Sequence, residues 1–201
     1  MHCRHAGARI CNLWASGSCV QSTEPSLVEK ILTLDRAFEG AGIEHAFGGA
    51  LALAFYTREP RATADIDVNV ALPSTDVGRV FDALPAPVAH GPVDFEKVRN
   101  DDQVRLWWGR TPVDLFFRAS SFHDGVAVRS VRFPFAGTQL PFLSADDLAV
   151  FKALFDRPKD WIDIEAMVDA EAVELQLVVD ALRSLLGDDR RVERMRALIR
   201  E

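Results

Sequence analysis

The chain has 201 residues, 48% of them apolar and 26% charged, which fits one globular domain or a small domain with a helical lobe. The formal charge of −7 excludes a general attraction to nucleic acid, so any RNA contact needs a local basic patch. No apolar run approaches the ~20 residues of a membrane span, so no membrane partner is expected.

Cys3, Cys11 and Cys19 all fall near the start of the chain. An odd count with none in the body argues against a disulfide framework and for a reducing, cytoplasmic setting. The spacing of His2, Cys3, His5 and Cys11 matches no zinc pattern. Residues 1–22 lack the continuous apolar stretch of a signal peptide and read as a disordered extension.

Ser26-x-x-Glu29 spells a capping box, and Leu27, Ile31, Leu34 and Phe38 recur at helical spacing until Gly40-Ala41-Gly42 stops them. Ile43 to Phe47 reads as the first core strand, delivering Gly48-Gly49 at its end. Ala50 to Tyr56 reads as a helix, Arg58 to Thr63 as a loop broken by Pro60, and Ile66 to Leu72 as the second strand. A helix from the Pro73–Asp76 turn to Leu84 precedes a proline-rich connection, Pro85 to Pro92. Strands are predicted at Phe95–Val98, Gln103–Trp108, Val113–Phe117, Val126–Val131 and Gln139–Phe142. Ser144 caps a helix striped with Leu148, Phe151, Leu154 and Phe155, and further helices follow at about 159–169, 171–186 and 189–200. The fold class is α+β: a mixed sheet with flanking helices over 23–143 and a C-terminal helical lobe over 144–201.

The chemistry centres on Gly48-Gly49 and Asp65-Ile66-Asp67. Side chains alternate along a strand, so Asp65 and Asp67 point the same way. Two like charges at about 6 Å repel by roughly 2–3 kcal/mol at an effective dielectric of about 20. A divalent cation between them reverses that sign, and hard oxygen ligands suit Mg²⁺. Glycines let backbone N–H groups approach a phosphate, and the following helix points its positive end at the same anion. Asp114, in the apolar run Val113-Asp114-Leu115-Phe116, is costly to bury unpaired and is a third candidate ligand. Three such aspartates would hold two cations around a triphosphate. Taken singly, each is more often an ordinary strand carboxylate than a ligand, and it is the combination with the glycine pair that points to a metal.

Gly48-Gly49, Asp65-x-Asp67 and Asp114 together resemble the signature of the nucleotidyltransferase fold. Within that superfamily the spelling Arg61-x-Thr63-x-Asp65-Ile66-Asp67 is similar to the AbiEii/AbiGii-type toxin nucleotidyltransferases. The segments Asp147–Lys152 and Arg157–Asp163 resemble that subgroup's C-terminal lysine and aspartate region. Many members have Gly-Ser where this chain has Gly48-Gly49. The resemblance implies transfer of a nucleoside monophosphate from an NTP to a hydroxyl on a tRNA end, a protein or a small molecule, with an antitoxin as partner. It implies metal ligation by Asp65, Asp67 and Asp114, with Asp114 also receiving the acceptor's proton. Gly48, Gly49, Arg58, Arg61, Lys152 and Asp160 would line the nucleotide.

Alternatives stand beside several of these roles. Arg58 and Arg61 either contact phosphate or pair with the aspartates, and Thr63 caps the turn. Lys152 is either a triphosphate contact, whose loss lowers turnover and leaves the melting temperature nearly unchanged, or a snorkelling surface lysine. Asp160 and Asp163 either organise Lys152 and Arg157 or meet the acceptor. Of Trp107 and Trp108, which face opposite sides, at most one is free to stack on a base. A catalytically inactive nucleotide- or partner-binding module and an aminoglycoside-type transferase are the competing functions.

Overall fold

The computed structural model describes residues 24–57 and 63–199. The predicted extension at 1–22, and Arg58 and Arg61, lie outside the described residues.

The first helix, α1 (Leu27–Gly40), begins at the capping box: Ser26 Oγ accepts from Glu29 N, and Glu29 Oε2 accepts from Ser26 N at 2.7 Å. It ends where Gly42 takes a positive φ of 62°. β1 (His45–Phe47) follows, then α2 (Gly49–Tyr56) and β2 (Ile66–Pro73). A 3₁₀ turn at Ser74–Asp76 leads into α3 (Val77–Ala83), and the short strand β3 (Val88–Ala89) interrupts the proline-rich connection.

The predicted strand at Phe95–Val98 is instead part of a helix, α4 (Pro92–Asp101). Pro92 sits in its first turn, and the Asp94 carboxylate accepts from Gly91 N at 2.8 Å, so local capping overrides the short apolar pattern. β4 (Gln103–Trp108) and β5 (Thr111–Arg118) correspond to two predicted strands and pair as a hairpin. The strand expected at Val126–Val131 is also corrected. Two short helices, α5 (Ser121–Asp124) and α6 (Val126–Arg129), come first, and β6 runs Val131–Phe135. Arg129 is the last residue of α6, and its guanidinium donates to the Asp147 carboxylate at 2.9 Å.

β7 (Thr138–Phe142) completes the sheet. Then come α7 (Ala145–Phe155), capped by Ser144, and α8 (Pro158–Asp169), α9 (Leu175–Leu186) and α10 (Arg190–Arg196). α9 starts later than its periodicity suggests. Glu171 has a positive φ of 56°, and Glu174 N is tied to the Asp146 carboxylate.

The sheet has seven strands in the order β3-β4-β5-β2-β1-β7-β6. The pairs β2–β5 and β1–β7 are parallel and the rest antiparallel. Ile66, Val68, Val113 and Leu115, fully buried in the two central strands, anchor the sheet in one apolar cluster. That cluster runs on through Leu148, Trp161, Ile164, Val178 and Met195 of the C-terminal helices. Among the described residues no helix is long and apolar enough to cross a membrane.

Candidate active site

Three elements converge at the C-terminal half of β1 and the N-terminal end of β2. β1 delivers Gly48, whose N–H donates to the Asp67 carbonyl at 2.9 Å. A Cβ at Gly48 would meet Asn69 and Leu143 at 3.0 Å, so glycine here serves packing and the chain turn. Gly48 therefore does not offer its N–H to a phosphate. Gly49 has φ 56° and opens α2. A Cβ there would lie 1.8 Å from Asp67 Oδ2, so only glycine lets α2 start against that carboxylate. Gly49 and Ala50 then line the cavity, where the first-turn amides of a helix lack intrahelical partners.

That cavity, of about 390 Å³, is lined by Asp65, Asp67, Asp114, Lys152, Arg157 and Asp160 among others. All three sequence-predicted aspartates reach it. Asp67 and Asp114 are register partners on parallel β2 and β5, and so present their side chains side by side. Asp67 is flanked by the buried Ile66 and Val68, and its carboxyl is pushed up to about 6. Burial is the main cause, followed by the charges of Asp114 and Asp65.

Arg105 is the residue the sequence reading missed. It stands directly opposite Asp114 in the β4–β5 register. Its Nε donates to Asp114 Oδ1 at 2.8 Å and its Nη2 to Oδ2 at 2.6 Å, and Nη2 lies 3.7 Å from Asp65 Oδ2. The guanidinium is held further on its charged side, chiefly by the Asp114 hydrogen bonds. Arg105 thus stands among the three aspartates expected to hold the metal, paired with Asp114 and close to Asp65. Among the described residues no group of three His, Cys, Asp or Glu side chains is placed to hold an ion. Asp65 and Asp67 remain a hard-oxygen pair that fits Mg²⁺, because no described Lys, Arg or His forms an ion pair with Asp67 and its charge is poorly compensated where it stands.

Lys152 is not a solvated lysine. It is 6% exposed, and its Nζ donates to Asp163 Oδ2 at 2.6 Å and lies 3.7 Å from Asp160 Oδ1. Asp160 is fully buried; it accepts from Arg157 Nε at 2.6 Å and Nη2 at 3.0 Å. Asp160 thus holds Arg157 and Lys152 at the cavity wall rather than presenting a free carboxylate. The Arg157 guanidinium also lies 4.8 Å from the Phe155 ring centre, a cation–π contact at the cavity rim. Thr63 Oγ1 accepts from Asp65 N at 3.2 Å, the turn-capping role expected of it. Trp108 is buried and Trp107 half exposed.

A second cavity of about 290 Å³ shares Asp67, Arg105, Asp114, Phe116, Phe155 and Arg157 with the first. Its remaining charged residue is Lys97.

No protein-family model matches the sequence, and no curated protein matches it. Among solved structures, the antibiotic-resistance factor ANT(2'')-Ia superposes with a TM-score of 0.50 at 16% identity, over 87% of this chain and 91% of that one. Another structure of that factor, in complex with adenylyl-2''-tobramycin, gives 0.49 at 16% identity over 85% and 94%. The lincosamide antibiotic adenylyltransferase LnuA, with lincomycin bound, gives 0.49 at 11% identity over 74% of this chain and 99% of that one. The fold is accordingly the nucleotidyltransferase-like α+β fold, a mixed sheet with flanking helices.

Proposed function

We propose that this protein is a Mg²⁺-dependent nucleotidyltransferase that moves a nucleoside monophosphate from an NTP to an acceptor hydroxyl and releases pyrophosphate. The observation that carries this reading is the pairing of Asp67 with Asp114 on parallel strands, with the Gly49 turn closed against Asp67. Held by Asp65 and Asp67, Mg²⁺ would offset the triphosphate's charge.

The larger cavity takes the NTP. The amides at the start of α2 face its phosphates, and Lys152, Arg157 and Lys159 add positive charge along the same wall. The acceptor enters by the second cavity, so that its hydroxyl meets the aspartates on the shared wall. The hydroxyl oxygen attacks the α-phosphorus, the bond to the bridging oxygen of pyrophosphate breaks, and the hydroxyl proton leaves through the aspartate cluster to solvent.

The acceptor's charge separates two readings. ANT(2'')-Ia carries an adenylylated aminoglycoside in one of its structures, and the fold likeness suggests the same class of acceptor here. The charged residue that the second cavity adds to the wall shared with the first is Lys97, and its Arg105 and Arg157 are paired with Asp114 and Asp160, so its added charge is positive and disfavours a polycation. An acceptor bearing phosphate, such as an RNA end, matches that lining better. The AbiEii/AbiGii-type resemblance extends the same reading to a cytoplasmic toxin with a protein antitoxin. Expressed alone, such a protein arrests growth.

The deciding experiment incubates the protein with each α-labelled NTP, Mg²⁺ and either cell RNA, cell protein or tobramycin. Label is expected in RNA, and it should vanish with Asp67→Asn. Label in tobramycin alone would favour the drug-modifying reading. No transfer to any fraction, with the nucleotide still bound, would leave an inactive binding module.

A further inference from the structure

Resting on the nucleotidyl-transfer reading, a second assignment concerns the number of cations in the site. Asp114 is the carboxylate expected to share a second metal ion, yet both of its oxygens already face donors of one planar fork. Arg105 Nε and Nη2 reach Oδ1 and Oδ2 at 2.8 and 2.6 Å, the bidentate geometry in which a guanidinium binds a carboxylate most strongly. The same Nη2 is 3.7 Å from Asp65 Oδ2, so one guanidinium lies between two of the three aspartates. Backbone register, not a chance rotamer, sets this pair. Trp108 faces Thr111 at the hairpin end, and Arg105 faces Asp114 three steps further along. Both residues line the wall common to the two cavities.

Asp67 differs from its neighbours. It sits against Gly49 on the other side of the cluster and forms no ion pair with Arg105 or any other described cation. The opening for a metal ion therefore lies at Asp65 and Asp67, while the position at Asp114 already carries a positive charge that cannot dissociate at neutral pH.

We propose that Arg105 is the fixed second cation of this site: it holds Asp114 in place of a second metal ion, and the nucleotide-loaded protein binds one divalent ion, at Asp65 and Asp67. Arg105 is a positioning residue for Asp114. A protein-borne charge at this place also makes the site's electrostatics less dependent on free metal concentration than a two-ion site.

Counting bound Mn²⁺ tests this without turnover. The intact protein is titrated with Mn²⁺ in the presence of a non-hydrolysable α,β-methylene NTP, and free Mn²⁺ is read by its paramagnetic resonance signal. One Mn²⁺ per chain is expected for the parent and for Arg105→Lys, and two for Arg105→Ala, whose Asp114 is released to act as a ligand. Asp114→Asn should leave the parent count at one, which keeps the test open if Arg105→Ala does not fold. Two ions on the parent protein, or a loss of binding in Asp114→Asn, would overturn the assignment of Arg105 while leaving nucleotidyl transfer standing. No Mn²⁺ bound with or without nucleotide would sink the transfer reading and this inference with it.

Discussion

Asp67 shows how a site residue can oppose the fold that carries it. Its carboxyl ordinarily titrates near 3.8 and is raised to about 6 in the folded chain, first by burial and then by Asp114 and Asp65. Between those values the folded chain holds more protons than the unfolded one, so stability falls as pH rises through the window. The penalty is absent below about pH 4 and fully present above about pH 6. A shift of about two pH units corresponds to roughly 2–3 kcal/mol. Asp67→Asn should therefore melt higher than the parent at pH 7.5 without metal, by about 5 °C or more. The advantage should disappear by about pH 4. Adding Mg²⁺ and NTP should raise the parent's melting temperature and not the variant's, since only the parent keeps the ion-binding pair. Equal melting curves at pH 7.5 would mean that Asp67 is solvated and its charge already compensated. The aspartate pair and the glycines were legible because a strand's alternation and a Cβ-free turn are local properties. Gly48 was misread for a local reason too: sequence does not reveal that its N–H is spent on the Asp67 carbonyl.

At the scale of elements, legibility depends on whether a partner is near in sequence. Both strands of the β4–β5 hairpin were predicted, and counting back from the short turn between them sets Arg105 against Asp114. That signal was present in the chain and went unused. Lys152 is a different case, because its partners lie on the next helix, beyond the left-handed residue Asp156 at φ 54°. Helical periodicity on α7 left it exposed in either role considered for it, whereas the packing of α7 on α8 buries it against Asp163 and Asp160. The expectation that its removal leaves stability unchanged is therefore reversed. Lys152→Ala leaves two buried carboxylates short of one cation, a change that typically costs about 3–5 kcal/mol. Its melting temperature should fall by roughly 10 °C. Adding Asp163→Asn to that variant should recover part of the loss, because the two changes remove partners of one pair. A Lys152→Ala protein as stable as the parent would show that the α7–α8 pair is exposed in solution. The strand predicted at Phe95–Val98 failed for a related reason: the Gly91–Asp94 cap and Pro92 decide the conformation before the apolar residues do.

Across the whole molecule, the sequence suggested a sheet followed by a separate helical lobe, and the packing bears on how independently those parts fold. α7 and α8 rest against α2, and Phe151 and Phe155 of α7 stack edge-on with Phe122 and Phe116 from the sheet side. Arg129 reaches Asp147, and the Tyr56 hydroxyl donates to the Leu143 carbonyl at 2.8 Å. Leu148, Val150, Trp161, Ile164, Met167, Val178, Val179, Leu182, Val192 and Met195 all bury in the same cluster as the sheet residues. Each large apolar side chain contributes about 1.5–3 kcal/mol on full burial. Because that apolar surface is shared with the sheet residues, losing either part exposes surface of the other. The chain should consequently unfold in one transition, with aromatic and peptide circular dichroism changing together in urea. A chain ending at Leu143 should remain unfolded, since the face that α7 and α8 cover would meet water. Two separated transitions, or a folded 1–143 fragment, would show instead that the helices are an autonomous lobe. The site makes this coupling consequential. Its aspartates come from the sheet and its Lys152, Arg157 and Asp160 from α7 and α8, so any opening between the two halves separates the charges that line the cavity.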